Sequence, residues 1–468
     1  MSAARSENPA EIQVKIITKD GALRRHTEDR YLYLSGELFS VQINTEIGAK
    51  KADRIFRVIN KLGYGTYGTV WLVEDTKPPA NAPSRWKAIK MHRRGTAGTD
   101  LRVLNEFKRA VITPEKALAE YQVAIPYEQF PIKGGPDSKT TYTCSVLPLL
   151  GPRVDNEGLC SRDGNDHASR FACRQIAEAL QKLHKMGIAH GDFRPANILY
   201  YLPHLDKLGQ DEIMQVYGQP KALELKDPTP MREPDHLVFP ATCDVEALRE
   251  ILARKNLDMG LVGQPGLQVP RATVIDMGAA WHQSWKPRGT LIPASYRAPE
   301  CIIRDYGYTS VEGDIWALGC SMVKICMGHT AFRDNTWESV DRRPDTDVLA
   351  EMEFFLGPIP VPYRSAWKEQ TKGKNTVFPS NPAHVGFLRY KALKDWRKMH
   401  RRDGARSPLH LMVSKSELPK EKADMFLDLL QGIFKWFPGQ RMSLEDILKH
   451  PFLQVSDTGP GQVLGGNT

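Results

Sequence analysis

His190-Gly191-Asp192-Phe193-Arg194-Pro195-Ala196-Asn197 runs directly into the apolar pair Ile198-Leu199. An Asp and an Asn five residues apart on one tight loop suit phosphoryl transfer. One carboxylate orients a hydroxyl nucleophile while the amide oxygen holds a metal ion. Taken alone, the spacing also fits ordinary turn and capping residues, so its surroundings decide the reading. Upstream, Phe171, Ile176, Ala179, Leu180 and Leu183 recur mostly at three- and four-residue spacing as far as Lys185-Met186-Gly187, which predicts a buried helix supporting the loop.

Downstream of the loop, residues 201–271 are rich in proline and contain one predicted helix, 244–257. A structureless loop of that length is uncommon in a compact domain, so the segment reads as an insertion with partial structure of its own. The chain then returns to an apolar strand, Ala272-Thr273-Val274-Ile275, that ends in Asp276-Met277-Gly278. A carboxylate at the end of a buried strand suits a magnesium ligand on nucleotide phosphates. Tyr296-Arg297-Ala298-Pro299-Glu300 follows, and Asp314-Ile315-Trp316-Ala317-Leu318-Gly319 opens an apolar helix. Further helical stretches run over 349–356 and 425–434, and Ser443 is the expected N-cap of the last helix.

Working back from the loop, residues 55–62 and 69–73 read as strands flanking Gly63-Tyr64-Gly65-Thr66-Tyr67-Gly68. Glycines there allow a hairpin whose backbone closes over phosphates. A dinucleotide-binding fold would require a helix immediately after the glycines, whereas Thr69 to Val73 is β-branched and apolar. A third strand, 86–91, carries Lys90, whose ammonium would project towards that hairpin and meet α- and β-phosphates. The predicted helix 100–111 offers Glu106 as the carboxylate to hold it. Strands over 127–132 and 140–147 lead to the connector Pro148-Leu149-Leu150-Gly151, a hinge whose backbone could pair with adenine, with Leu147 controlling depth behind it. The alternating Tyr31-Leu32-Tyr33-Leu34 of the first fifty residues is expected to pack on the lobe that follows.

With 468 residues and 41% hydrophobic content, the chain can bury one large core or two packed lobes. Its seven cysteines include no C-x-x-C pair, which argues for a reducing compartment, cytosol or nucleus, and against a disulfide framework or structural zinc. No stretch reads as an export signal or membrane span. The net charge of +9 comes from 64 basic residues interspersed with 55 acidic ones, so no direct nucleic-acid surface is expected. The densest basic run, residues 397–402, reads as a solvated helix face.

Taken in order, GYGTYGTV at Gly63 to Val70, KAIK at Lys87 to Lys90, Glu106, HGDFRPAN, DMG, APE and DIWALG resemble a eukaryotic-type protein kinase over roughly residues 54–453. The resemblance implies an α+β, bilobal fold. It comprises an N-terminal extension (1–50), a small β-rich lobe with the hinge (51–150), a larger, mainly helical lobe (151–455, with 201–271 inserted) and a flexible tail (456–468). By the same resemblance Asp192, Lys90, Glu106 and Arg194 are the catalytic set, and Asn197 and Asp276 hold Mg2+. ATP would be contacted by Leu62, Gly63, Gly65, Gly68, Val70, Ala88, Lys90, Leu147, Leu149, Leu150, Asn197 and Asp276. Glu300 is expected to pair with Arg441, and Asp314 to brace the catalytic loop. Within the protein kinases, KLGYGTYGTVWL, LIPASYRAPE and the insertion are most similar to compact fungal SR-protein-kinase-like enzymes of the CMGC group. That likeness implies a monomeric serine/threonine kinase acting on Arg/Ser-rich RNA-processing proteins.

The sequence departs from the family's pattern at four places. Arg194 stands where kinases usually have Lys, and the two cations differ in shape and donor geometry. Gly191 replaces the Arg that would pair with a phosphorylated activation segment, which predicts activity without such phosphorylation. Pro293-Ala294 occupy the place of a Thr that helps seat a hydroxyl substrate, and residues 391–406 are basic where an acidic docking surface would guide arginine-rich substrates. A pseudokinase scaffold and a small-molecule phosphotransferase of the aminoglycoside or choline type remain as alternatives. The latter shares HGD-x-x-x-x-N but is not expected to carry APE or the DIWALG helix.

Overall fold

A computed structural model describes residues 15–16, 27–49, 54–78, 85–134, 140–155, 166–225, 228–229, 233–257, 270–286, 289, 292–303, 308–332, 344–370, 408–414 and 416–454. The basic run at 397–402 and the Gly-rich tail lie outside them. Two compact units form: Met1–Glu115 with Ala124–Pro152 and Tyr201–Gly260, and Lys116–Val123 with Arg153–Tyr200 and Leu261–Thr468. Residues Tyr201–Gly260 therefore group with the β-rich unit, although chain order assigns them to the larger lobe.

Six strands make the sheet of the first unit, in the order Glu46–Ala49, Arg54–Gly65, Gly68–Asp75, Trp86–His92, Thr140–Pro148 and Glu128–Gly134. Neighbouring strands pair antiparallel, and side chains such as Phe56, Val58, Leu72, Ile89 and Val146 are fully buried. Each contributes about 1.5–3 kcal/mol by leaving water. Gly65 pairs with Gly68 at the hairpin end. Gly68 has a φ of +143°, and a Cβ there would lie 2.0 Å from the Met91 carbonyl oxygen, so only glycine fits. A strand and not a helix follows the glycines, which excludes the dinucleotide-binding alternative.

The N-terminal extension and the insertion meet on this unit. Lys15–Ile16 pairs in parallel with Lys221–Glu224, which pairs antiparallel with His236–Val238. Tyr31–Leu34 forms one helical turn that buries Tyr33 with Leu38 and Leu237 while Tyr31 stays exposed. Arg30 is ion-paired with Glu233, and Gln42 Nε2 donates to Asp235 Oδ2 at 2.7 Å. Beneath them Glu28 accepts from both the Tyr33 hydroxyl and Lys61. Lys61 is wholly buried on the strand that enters the glycine hairpin. Insertion backbone adds to the same strand, with Ala241 N donating to Lys61 O at 2.7 Å and Asn60 Nδ2 donating to Gly218 O at 3.0 Å.

In the second unit two buried helices, Asp166–Lys185 and Val311–Met327, form the scaffold, with Lys420–Ile433 and Leu444–Lys449 packed beyond them. Trp316 stacks on Phe332 and meets Phe434, ring centroids 5.1 and 4.9 Å apart. Ser443 caps the last of these helices, its hydroxyl accepting from Asp446 N at 3.1 Å. Among the described residues, no helix is long and apolar enough to cross a membrane.

Candidate active site

The loop carrying Asp192 is held by a carboxylate beneath it. Asp314 lies in the first turn of Val311–Met327, buried. Its Oδ2 accepts from His190 N (2.6 Å) and His184 Nε2 (3.0 Å), and its Oδ1 accepts from Gly191 N (2.9 Å). Capturing two successive backbone N–H groups requires the turn that Gly191 makes at φ +78°. A Cβ at that position would come within 2.3 Å of Ala279 O and 2.8 Å of the Thr309 methyl. The arginine usual at this place therefore has neither the backbone conformation nor the room. His190, fully buried, lies within hydrogen-bond distance of Ile275 O through Nε2 at 2.9 Å and packs edge-on against Phe193.

Both oxygens of Asp192 are occupied from within the loop. Asn197 Nδ2 donates to Asp192 Oδ2 at 2.8 Å and to the Asp192 carbonyl at 2.9 Å, and Arg194 Nε donates to Oδ1 at 2.9 Å. Burial holds the Asp192 carboxyl above its ordinary range, with Arg194 and His190 pulling the other way. Because Nδ2 of Asn197 is spent on Asp192, its amide oxygen is the atom left for a cation. The next strand brings a second oxygen donor close, since Ile275 N donates to Asn197 O at 2.9 Å and Asp276 follows in a left-handed conformation, φ +62°. Asp276 Oδ1 accepts from Gly278 N at 3.2 Å. An amide oxygen and a carboxylate are the hard donors that fit magnesium, which takes few protein ligands and fills its sphere with phosphate and water oxygens. Among the described residues no group of three or more His, Cys, Asp or Glu side chains makes a protein-only metal cage.

Glu300 and Arg441 form the expected pair, Nη1 to Oε1 at 2.7 Å and Nη2 to Oε2 at 2.5 Å, with Arg441 also donating to Glu312 O at 2.8 Å. Pro293 precedes a short 3-10 turn over Ala294–Tyr296. Arg297 is tied back to Ile292 O at 2.8 Å.

On the sheet, register aligns Val70 with Lys90 and Ser145, and Leu72 with Ala88 and Leu147, so Val70, Ala88, Lys90 and Leu147 share one face. Leu149 and Leu150 are buried, and Leu150 O accepts from the hydroxyl of Tyr217, an insertion residue, at 3.0 Å. One expectation fails here: Lys90 does not pair with Glu106. Its ammonium donates to Asp100 Oδ2 at 3.2 Å and lies 5.6 Å from the Tyr67 ring centre, while Glu106 accepts from Arg109 at 2.8 Å. The reason lies in helical phase. In Gly98–Arg109 the buried side chains are Asp100, Val103, Leu104 and Phe107, and Glu106 falls off that stripe. The spacing of 100, 103, 104 and 107 was available in the sequence as a signal for Asp100.

Residues 271–453 match the family described as the protein kinase domain. The chain carries a protein kinase domain. It is similar to the serine/threonine-protein kinase SRPK of Physarum polycephalum, at 25% identity over 409 residues and 85% of each chain. Serine/threonine-protein kinase AFC1 of Arabidopsis thaliana is 23% identical over 422 residues, 86% of this chain and 71% of that one. The human dual specificity protein kinase CLK4 is 24% identical over 299 residues, 62% of this chain and 45% of its own length. The kinase is thus of the serine/threonine type that groups with SRPK and CLK enzymes, and kinases of this kind use ATP and Mg2+ in general. The matched stretch begins after the insertion. The catalytic loop and the glycine hairpin precede it.

Proposed function

We propose that this kinase is an active enzyme that transfers the γ-phosphoryl group of ATP to serine in Arg/Ser-rich proteins of RNA processing. The observation that carries the reading is the loop in which Asp192 is fixed by Asn197 and Arg194, braced from Asp314, and set one strand away from Asp276. Asp192 orients the substrate hydroxyl and takes its proton. Leu62, Gly63, Gly65, Gly68, Val70, Ala88, Leu147, Leu149 and Leu150 hold the nucleotide, and Lys90 steadies its α- and β-phosphates. Arg194, anchored through Nε, keeps the rest of its guanidinium for the γ-phosphate. Asn197 and Asp276 hold Mg2+, which when bound neutralises charge on the phosphates. The substrate class rests on the resemblance of KLGYGTYGTVWL and LIPASYRAPE to SR-protein-kinase-like enzymes.

In this reading the enzyme works as a monomer in the cytoplasm or nucleus, with a protein substrate and without direct nucleic-acid contact. The test is transfer of labelled phosphate from Mg·ATP to an Arg/Ser-repeat peptide and to a Ser-Pro peptide, with Asp276→Ala as control. Preferential labelling of the Arg/Ser peptide that disappears in the control supports the proposal. Absence of transfer to either peptide, with ATP still bound, replaces it with a scaffold or a small-molecule phosphotransferase.

A further inference from the structure

We propose that Asp100, and not Glu106, is the positioning residue for Lys90. The inference rests on the reading of Lys90 as the phosphate-binding lysine and changes which carboxylate sets its place.

Three independent observations converge on it. The first is helical phase: Asp100 shares the buried stripe with Val103, Leu104 and Phe107, so whatever seats this helix on the sheet also seats Asp100. Glu106 stands six residues on, about 240° round the helix axis, where it meets Arg109 on the same helix. The second is the direct contact, Lys90 Nζ to Asp100 Oδ2 at 3.2 Å, with both side chains buried. An acidic group in the first turn is also favoured by the helix dipole.

The third is a row of polar side chains gathered beside the same carboxylate. Gln129 Nε2 donates to Ser145 Oγ at 2.8 Å. The same Ser145 hydroxyl lies within hydrogen-bond distance of His92 Nε2, 2.7 Å away. His92 Nδ1 lies 3.6 Å from Asp100 Oδ2, beyond hydrogen-bond distance. Lys90, His92 and Ser145 come from paired strands, with Lys90 directly opposite Ser145 in register. Asp100 Oδ2 thus meets the strand directly through Lys90 and lies close to His92 of the same strand, whereas Glu106 pairs with Arg109 on its own helix. Its role is to orient a catalytic group, and movement of the Gly98–Arg109 helix would displace Lys90 through Asp100.

The test compares Asp100→Asn, which keeps shape, with Glu106→Gln, using the full chain. Two readouts are needed. The first is kcat and KM for ATP: Asp100→Asn is expected to lower kcat/KM at least about 30-fold and Glu106→Gln no more than about 3-fold. The second needs no activity: labelling of Lys90 by an amine-acylating reagent without nucleotide, followed by mass spectrometry. Loss of the carboxylate partner frees the ammonium, so Asp100→Asn is expected to speed Lys90 labelling about 5-fold or more while Glu106→Gln leaves it within about 2-fold. Acceleration by Glu106→Gln equal to or greater than that by Asp100→Asn overturns the proposal. A wild-type chain that transfers no phosphate defeats the kinase reading, and the labelling experiment still decides between the two carboxylates.

Discussion

The catalytic loop and the lysine-bearing sheet hold their charged groups in different ways. In the loop, Asp192, Arg194 and Asn197 lie within six consecutive residues and bond to one another, so one short stretch of backbone carries most of the geometry. On the sheet, Lys90 depends on a partner from another element, and the helical phase of Gly98–Arg109 chooses Asp100 over Glu106. Local constellations survive changes elsewhere in the chain. Pairings between elements are decided by packing, and a motif does not encode the packing.

The largest expected effect breaks the loop side of the comparison. Asp192→Asn should remove at least about 1000-fold of kcat while leaving the protein folded, because the amide keeps the shape but cannot accept the proton. A pH profile sharpens the same point. Burial raises the Asp192 carboxyl above its ordinary 3.8, and a carboxyl that already carries a proton cannot take one from the substrate. Activity should therefore rise with pH through a limb displaced upward from that of an ordinary aspartate. For stability the sign is opposite: the raised group favours the fold below its unfolded value and loses that contribution as pH rises through the folded value.

Gly191→Ala comes next. The strain of a non-glycine residue at φ +78° and the clash with Ala279 O together cost about 2–5 kcal/mol, measurable as a lowered urea midpoint. An unchanged midpoint would mean that the loop is not held as described.

On the sheet side, Glu28→Gln leaves the wholly buried Lys61 without its anion, an expected loss of about 3–5 kcal/mol in denaturant unfolding. The double change Glu28→Leu with Lys61→Met should recover most of it, since a hydrophobic pair of similar volume replaces a buried ion pair at little cost. Failure to recover would show that Glu28 acts through Tyr33 instead. The smallest effect concerns Glu233. Its bond from Arg30 lowers the carboxyl from 4.5 to about 2. The docking of the extension on the insertion should hold above pH 4.5 and weaken as pH falls towards 2, and proteolysis near Arg30 would report it.

Much of this molecule was legible from its residues. The glycine hairpin, the strand of Lys90, the helix behind the catalytic loop, the Glu300–Arg441 pair and the Asp314 brace appear as the sequence implied. These features depend on periodicity, or on short motifs whose order along the chain is specific. Three features were not legible in that way. The spacing of 100, 103, 104 and 107 marks a stripe, but the Asp100 contact follows only once that stripe is known to face Lys90. Gly191 reads as the loss of an arginine until its positive φ and the nearby Ala279 carbonyl show that nothing larger fits. The affiliation of residues 201–260 with the β-rich unit depends on pairings such as Lys15 with Lys221 and Tyr217 with Leu150, which are too distant in sequence for pattern to reveal.

The most direct measurement of the central claim is phosphate transfer from Mg·ATP to an Arg/Ser-repeat protein, by wild type and by Asp192→Asn in parallel, after phosphatase treatment of both. Steady transfer by the wild type, abolished in the variant, is the predicted result. Undiminished transfer by Asp192→Asn, or none by a folded wild type that binds ATP, would contradict it.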